Sequence, residues 1–121
     1  MARIFLDANY FISLMELRDD INSQSFASHK FFISTLSIHI LFYVNKIKVP
    51  NEKVNEMIGN MNFIALSDEL LMKALKGPTS DLEDNIQLHS LSDSEADYFL
   101  TRDQDLLKMK FFGKAAIVDK I

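Results

Sequence analysis

Apolar residues in this chain alternate between two spacings, and the alternation predicts its elements. Ile4-Phe5-Leu6 is apolar in succession, as a strand buried on both faces requires, so residues 3–7 are the first strand. Over residues 9–19 the spacing turns helical, with Tyr10, Phe11, Leu14 and Leu17 on one face. The polar stretch 22–30 leaves room for a short second helix. Phe32-Ile33-Ser34-Thr35-Leu36 predicts the second strand. Residues 37–46 then carry Ile38, Leu41, Phe42 and Asn45 at helical spacing, against a β-branched and aromatic content that disfavours helix. Pro50 breaks the chain, and Asn51 is placed to cap a helix ending at Gly59 or Asn60.

Phe63-Ile64-Ala65-Leu66 predicts the third strand, and Ser67 caps a helix over 68–76 that Gly77-Pro78 ends. Ser80-Asp81-Leu82-Glu83 has capping-box spacing and opens a helix to about Leu91. Residues 97–102 form the fourth strand, 104–110 a short helix and 115–118 the last strand. Strands separated by helices predict an α/β fold: a three-layer α/β/α sandwich with a central parallel sheet of about five strands. No repeat, low-complexity tract or linker divides the chain, so residues 1–121 are expected to form a single domain.

Composition narrows the classes. At 121 residues, 48% hydrophobic and 25% charged, the chain has the makeup of an ordinary globular domain with a core of its own. The absence of cysteine excludes disulfides, thiolate metal sites and a Cys nucleophile. No apolar stretch approaches the ~20 residues that span a bilayer, and Asp7 interrupts any signal-like core, so a cytoplasmic location is expected. A net charge of −4, from 17 acidic and 13 basic residues, argues against holding long nucleic acid by a general field. Basic contacts must be local. Lys46, Lys48 and Lys53 form one group; Arg102, Lys108, Lys110 and Lys114 form another, of which Arg102 is the candidate substrate contact. The simpler reading of both groups is solvated helix ends and loops.

Three acids change the picture. Asp7 closes the first strand, Asp103 follows the fourth, and Asp84 sits near the start of the helix between them. In an open parallel sheet the carboxyl ends of the strands gather at one edge, where ligands bind. Carboxylates converging there repel one another unless a cation lies between them, and Mg²⁺ or Mn²⁺ takes oxygen ligands and suits phosphate esters. Each acid also has a plainer role. Asp7 and Asp103 are good helix caps, and Glu83 completes a capping box with Ser80. Asp105 suits a helix first turn, and Asp81, Asp93, Glu95 and Asp97 suit capping or solvated positions. Asp84 has the weakest structural reason to be acidic. His29, His39 and His89 are too scattered for a local metal motif. Among the 10 phenylalanines, Phe31-Phe32 and Phe111-Phe112 suit core packing.

Taken in order, Ile4-Phe5-Leu6-Asp7-Ala8-Asn9, Asp81-Leu82-Glu83-Asp84-Asn85-Ile86-Gln87 and Ala96-Asp97-Tyr98-Phe99-Leu100-Thr101-Arg102-Asp103 resemble the PIN domain. The likeness is to its VapC-like branch of toxin ribonucleases and runs collinearly from residue 3 to about residue 118. It implies a metal-dependent ribonuclease acting on RNA, often a homodimer, often bound to a small antitoxin protein. By position it implies that Asp7, Asp84 and Asp103 hold Mg²⁺ or Mn²⁺ and act in catalysis. Asn9 and Thr101 match accompanying polar residues, and Glu83 is a further supporting carboxylate.

One position departs from the pattern. The family carries a Glu on the helix after the second strand, where this chain has Ile40; His39 is adjacent but turned by about 100°. The departure supports an alternative, a catalytically impaired PIN-like domain that binds RNA or protein. Two other classes fit less well. A phosphoacceptor receiver lacks its acidic pair at the first strand, and an Asp-nucleophile phosphatase would need Asp where Asn9 stands.

Overall fold

The structure, a computed structural model, describes residues 1–16 and 28–121. In chain order the elements are β1 (Arg3–Leu6), α1 (Ala8–Glu16), β2 (Lys30–Ser34), α2 (Thr35–Val44), α3 (Glu52–Ile58) and β3 (Asn62–Ile64). There follow α4 (Asp68–Ala74), α5 (Leu82–Ser94), β4 (Tyr98–Leu100), α6 (Gln104–Met109), β5 (Phe111–Phe112) and β6 (Ala115–Val118). The strands form one sheet in the order β3-β2-β1-β4-β6-β5. All neighbours are parallel except β5 and β6.

The successive apolar residues of β1 are explained by its place in the middle of this sheet. Side chains alternate faces along a strand, so Ile4 and Leu6 enter one apolar cluster and Phe5 the opposite one. Ile4 and Leu6 pack with Phe11 and Met15 of α1, Phe31 and Ile33 of β2, Leu41 of α2 and Val54 of α3. Phe5 packs with Phe32, Phe99, Leu88 and Leu91 of α5, Leu106 of α6 and Ile117. Helices on both faces make the α/β/α sandwich that the pattern predicts. A smaller cluster of Leu70, Ala74 and Ile86 ties α4 to α5.

Among the described residues the sheet has six strands rather than about five, and the extra one is antiparallel. Phe111–Phe112 pairs with β6 across a tight turn in which Gly113 takes φ +61, a conformation that suits glycine. Phe112 joins the core cluster, but Phe111 is 64% exposed and does not pack there as expected. The second strand ends at Ser34 instead of Leu36. The Ser34 side chain accepts the Leu36 N–H at 3.1 Å and so starts α2 two residues early. Asn51 and Ser67 cap α3 and α4 as predicted, accepting from Val54 and Leu70. The expected stretch over 22–30 and Leu17 lie largely outside the described residues, although Lys30 opens β2.

The capping box on Ser80 and Glu83 does not form. Asp81 is the cap of α5, accepting the Asp84 N–H at 2.9 Å. Buried Asn85 accounts for the shift, because its side chain bonds to Thr79 and to the Ala74 carbonyl. The Thr79 hydroxyl in turn accepts from Asp81 N–H. The loop is thereby fixed one residue past the predicted start, and α5 runs on to Ser94.

Candidate functional site

The strand order reverses at β1. From β1 the chain moves outward through β2 to β3, then crosses back to β4 on the other side of β1. Helices diverge at such a point and leave a crevice beyond the carboxyl ends of the strands. Asp7 follows β1 and Thr101 follows β4 directly, so both stand at that crevice. Their strands are paired in register there, Leu6 with Leu100, and Asp7 N–H continues the ladder to Leu100 O at 2.9 Å.

Asp7 is 4% exposed and held at both oxygens. Its Oδ1 accepts the Ala8 N–H at 2.9 Å, and its Oδ2 accepts the Thr101 hydroxyl at 2.6 Å. The same Thr101 oxygen accepts Asp103 N–H at 3.0 Å. Asp103 caps α6, its Oδ1 accepting from Asp105 N–H at 2.8 Å and Leu106 N–H at 3.2 Å. Asp84 is the contrast. It lies half-buried in the first turn of α5, and its carboxylate accepts no hydrogen bond among the described residues. Asp84 has no capping duty, which Asp81 performs.

These acids feel one another. Burial raises Asp7 from 3.8 to about 6, against the lowering effect of the Thr101 and Ala8 hydrogen bonds, and the Asp103 and Glu83 charges add to the rise. Asp84 is pushed to about 7 by desolvation first, then by the charges of Asp81, Asp103, Asp7 and Glu83. Glu83, although exposed on the surface, is raised by desolvation and by Asp81. No ion pair offsets this charge among the described residues, where the two salt bridges join Lys73 to Glu69 and Lys108 to Asp105.

Sharing a field is not sharing a coordination sphere. Among the described residues no group of three or more His, Asp or Glu side chains is drawn to metal-ligand spacing. In donor chemistry the residues fit a hard divalent cation, being oxygen-only, acidic and without a protein counter-charge. In spacing, they stand open as they are.

Of the other expected residues, Asn9 is exposed at the start of α1 and Arg102 is exposed between Thr101 and Asp103. The Arg102 guanidinium lies 5.2 Å from the centre of the Tyr10 ring, a cation–π contact that the sequence did not suggest. Ile40 is half-buried on α2, and His39 is exposed. His29 and His89 bond to backbone groups of Ala2 and Gly77. Sequence reasoning also passed over Gln87, a polar residue completely buried in α5 one turn beyond Asp84. Its signal was a carboxamide in a helix row that otherwise points inward.

Neither protein-family models nor curated protein sequences give a match to this chain. Solved structures do. The chain matches one in the crystal structure of VapBC2 from Rickettsia felis bound to a DNA fragment from its promoter, with a TM-score of 0.67 and 14% identity, over 96% of this chain and 97% of that one. It also matches a chain of the DNA-bound VapBC from Salmonella typhimurium, with a TM-score of 0.65 and 16% identity, over 98% of each chain. The fold is therefore an α/β/α sandwich shared with these VapBC chains. Among the described residues no helix is long and apolar enough to cross a membrane.

Proposed function

We propose that this protein is a divalent-cation-dependent endoribonuclease of the PIN type and the toxin of a toxin–antitoxin pair. One observation supports the reading: Asp7, Asp84 and Asp103, from three separate elements, lie close enough to raise one another's pKa values by charge, with no ion pair among the described residues to offset them. That is a costly arrangement for a domain with no use for it. Asp7, Asp84 and Asp103 would hold Mg²⁺ or Mn²⁺, with Asp84 swinging in from its unbonded position. A bound cation would make a water more acidic and offset charge on a phosphoryl oxygen.

The chain's own groups supply the rest. Thr101 and the Ala8 N–H fix the Asp7 carboxylate, so it needs no reorganisation when substrate arrives. Asn9 and Glu83 border the same edge and support it. Arg102, steadied on Tyr10, would meet an RNA phosphate flanking the scissile group and so hold the strand beside the acidic edge. The likeness to VapBC complexes supports a small antitoxin protein as partner; a homodimer as the working form is what the resemblance to the PIN family implies.

Incubating the purified protein with single-stranded and structured RNA tests the reading. Cleavage is expected with Mg²⁺ or Mn²⁺ and not with chelator, and not by Asp7→Ala. Cleavage that survives chelation and the substitution equally would refute it.

A second reading is favoured by one residue. Ile40 stands where the resembled family has a carboxylate, which leaves the acidic set one member short. On that reading the domain binds RNA or a protein without cutting, and the same assay would return metal-dependent retention of RNA with no products.

A further inference from the structure

Parallel sheets are as a rule covered on both faces, and part of this one is not. On one side α5 and α6 pack over Phe5, Phe99 and Ile117. On the other, the cluster that joins Ile4 and Leu6 to α1, α2 and α3 reaches Leu100 and Val118 and stops there. Tyr98 pairs in register with Ile4 and so faces that second side. The row runs on through Ala116 of β6 to Phe111 of β5. Tyr98 is 36% exposed although β4 is an interior strand, and Phe111 is 64% exposed. Two aromatic rings thus flank a small alanine on uncovered sheet, two strand spacings or ~10 Å apart.

The size of the row selects its occupant. Since a whole aromatic side chain buries about 150–250 Å², the exposed parts of these two offer on the order of 200 Å². Each partner of a stable protein pair buries about 800 Å², far more than the row presents. An unpaired nucleobase needs only one ring, and spaced aromatics on a sheet face stack single strands in this way. Charge agrees. Arg102 follows the strand that carries Tyr98, and its guanidinium lies over Tyr10, which packs on the same side of the sheet. It makes no ion pair among the described residues. Thr101, which bonds to Asp7, stands three residues beyond Tyr98, so the row lies roughly 10 Å from the acidic edge.

We propose that Tyr98 and Phe111 form a stacking platform for two unpaired bases of a single-stranded RNA, beside the phosphate met by Arg102. The inference rests on the RNA-directed reading above and deepens it. The substrate is then unpaired on one side of the scissile phosphate, and the platform binds it through contacts that need no cation.

The test measures fluorescence anisotropy of a short labelled RNA, single-stranded or annealed to its complement, in chelator and in Mg²⁺. Cleavage of the same RNA in Mg²⁺ or Mn²⁺ is followed on gels. Phe111→Ser and Tyr98→Leu are each expected to bind the single strand at least ~5-fold more weakly than wild type. Phe111→Tyr and Tyr98→Phe, which keep the rings, are expected to bind it as wild type does. The duplex should bind more weakly and respond to none of the four. Phe111 is a surface residue, so Phe111→Ser remains a fair test should Tyr98→Leu not fold. Unchanged single-strand affinity in Phe111→Ser overturns the proposal, as does an equal loss on the duplex. A wild-type dimer that Phe111→Ser splits in sedimentation, with RNA affinity unchanged, would assign the row to a second copy of the chain and overturn it too. Wild type that neither binds nor cuts RNA overturns the functional reading and this inference together. Binding without cleavage, weakened in Phe111→Ser, supports the platform while overturning the nuclease.

Discussion

The Thr101 hydroxyl donates to Asp7 Oδ2 at 2.6 Å while accepting the Asp103 backbone N–H at 3.0 Å. One oxygen thus ties the ends of β1 and β4 and sets the relative position of two carboxylate-bearing residues. Thr101 is fully buried and its own N–H bonds to Val118 O, so the hydroxyl is anchored by the sheet itself. The acidic edge is consequently rigid on the Asp7 side and free on the Asp84 side.

Thr101→Val keeps the shape of the side chain and removes the hydroxyl. A buried carboxylate then loses a charge-assisted bond, and Asp103 N–H loses its acceptor. The expected loss is about 1.5–3 kcal/mol near neutral pH, read from denaturant midpoints, with Thr101→Ser largely sparing it. Since the Thr101 bond lowers the Asp7 pKa, Thr101→Val also raises it further. Equal stability of Val and wild type from acid to neutral pH would show that the bond carries no weight.

The raised acids predict the pH dependence of the metal-free protein. Asp7 rises from 3.8 to about 6 and Asp84 from 3.8 to about 7 on folding. Between those values the folded protein holds protons that the unfolded chain has released. Their contribution to stability is therefore whole below about pH 4 and is lost as pH rises through 6 and 7. Asp7→Asn removes its share of that loss, and it should stabilise the metal-free protein at neutral pH by on the order of 2–3 kcal/mol. The gain should vanish in acid. Melting curves from acid to neutral pH check both, and a wild type that grows more stable across that window would contradict them.

Adding Mn²⁺ should reverse the trend, because a cation favours the ionised carboxylates and displaces their protons. Calorimetric titration near pH 6.5 in buffers of different ionisation enthalpy should register proton release, and melting temperature should rise. Asp103→Asn is the informative variant. Asn caps helices about as well as Asp, so α6 should survive in chelator while the Mn²⁺-induced gain shrinks. An undiminished gain would leave Asp103 a cap and nothing more.

Arg102 and Tyr10 should act on substrate rather than on chemistry. Removing one phosphate contact reduces the salt slope of single-strand binding by about 0.7. Arg102→Ala is thus expected to raise KM with little change in kcat, and Tyr10→Leu to follow it more weakly by releasing the guanidinium. A fall in kcat at constant KM would place Arg102 at the reacting phosphate instead.

Much of this site was legible because strand-end carboxylates stand out in short apolar runs. Asp7, Asp103 and Thr101 lie where the pattern put them, since a parallel sheet leaves its strand ends little choice of location. Asp84 was legible by elimination, as an acid without a capping duty, although the cap proved to be Asp81. That shift depended on the Asn85 side chain reaching Thr79 and Ala74, contacts no local propensity encodes. The β5–β6 hairpin was missed because a two-residue strand carries no period. Tyr10 was read as a core residue and is half so, its ring packing on the core and lying under Arg102. The burial of Gln87 was not legible, because the packing that covers a single carboxamide in a helix is set by the fold and not by local pattern.

Ile40 offers a gain-of-function test. It sits half-buried on α2, on the row that continues from Ser37, and the resembled family places a carboxylate there. Ile40→Glu adds a negative charge beside an edge that already repels itself. In chelator the variant should therefore be less stable than wild type, and more so at neutral pH than in acid, where the carboxyls are protonated. With Mn²⁺ present the extra oxygen should raise cation affinity by ~10-fold or more and increase RNA cleavage if the wild type cuts slowly. The two effects have opposite signs and a common cause, so they should be measured on the same preparation. A variant destabilised in chelator but unchanged in Mn²⁺ affinity would mean that position 40 does not face the acidic edge, and that the missing carboxylate has no bearing on how this protein works.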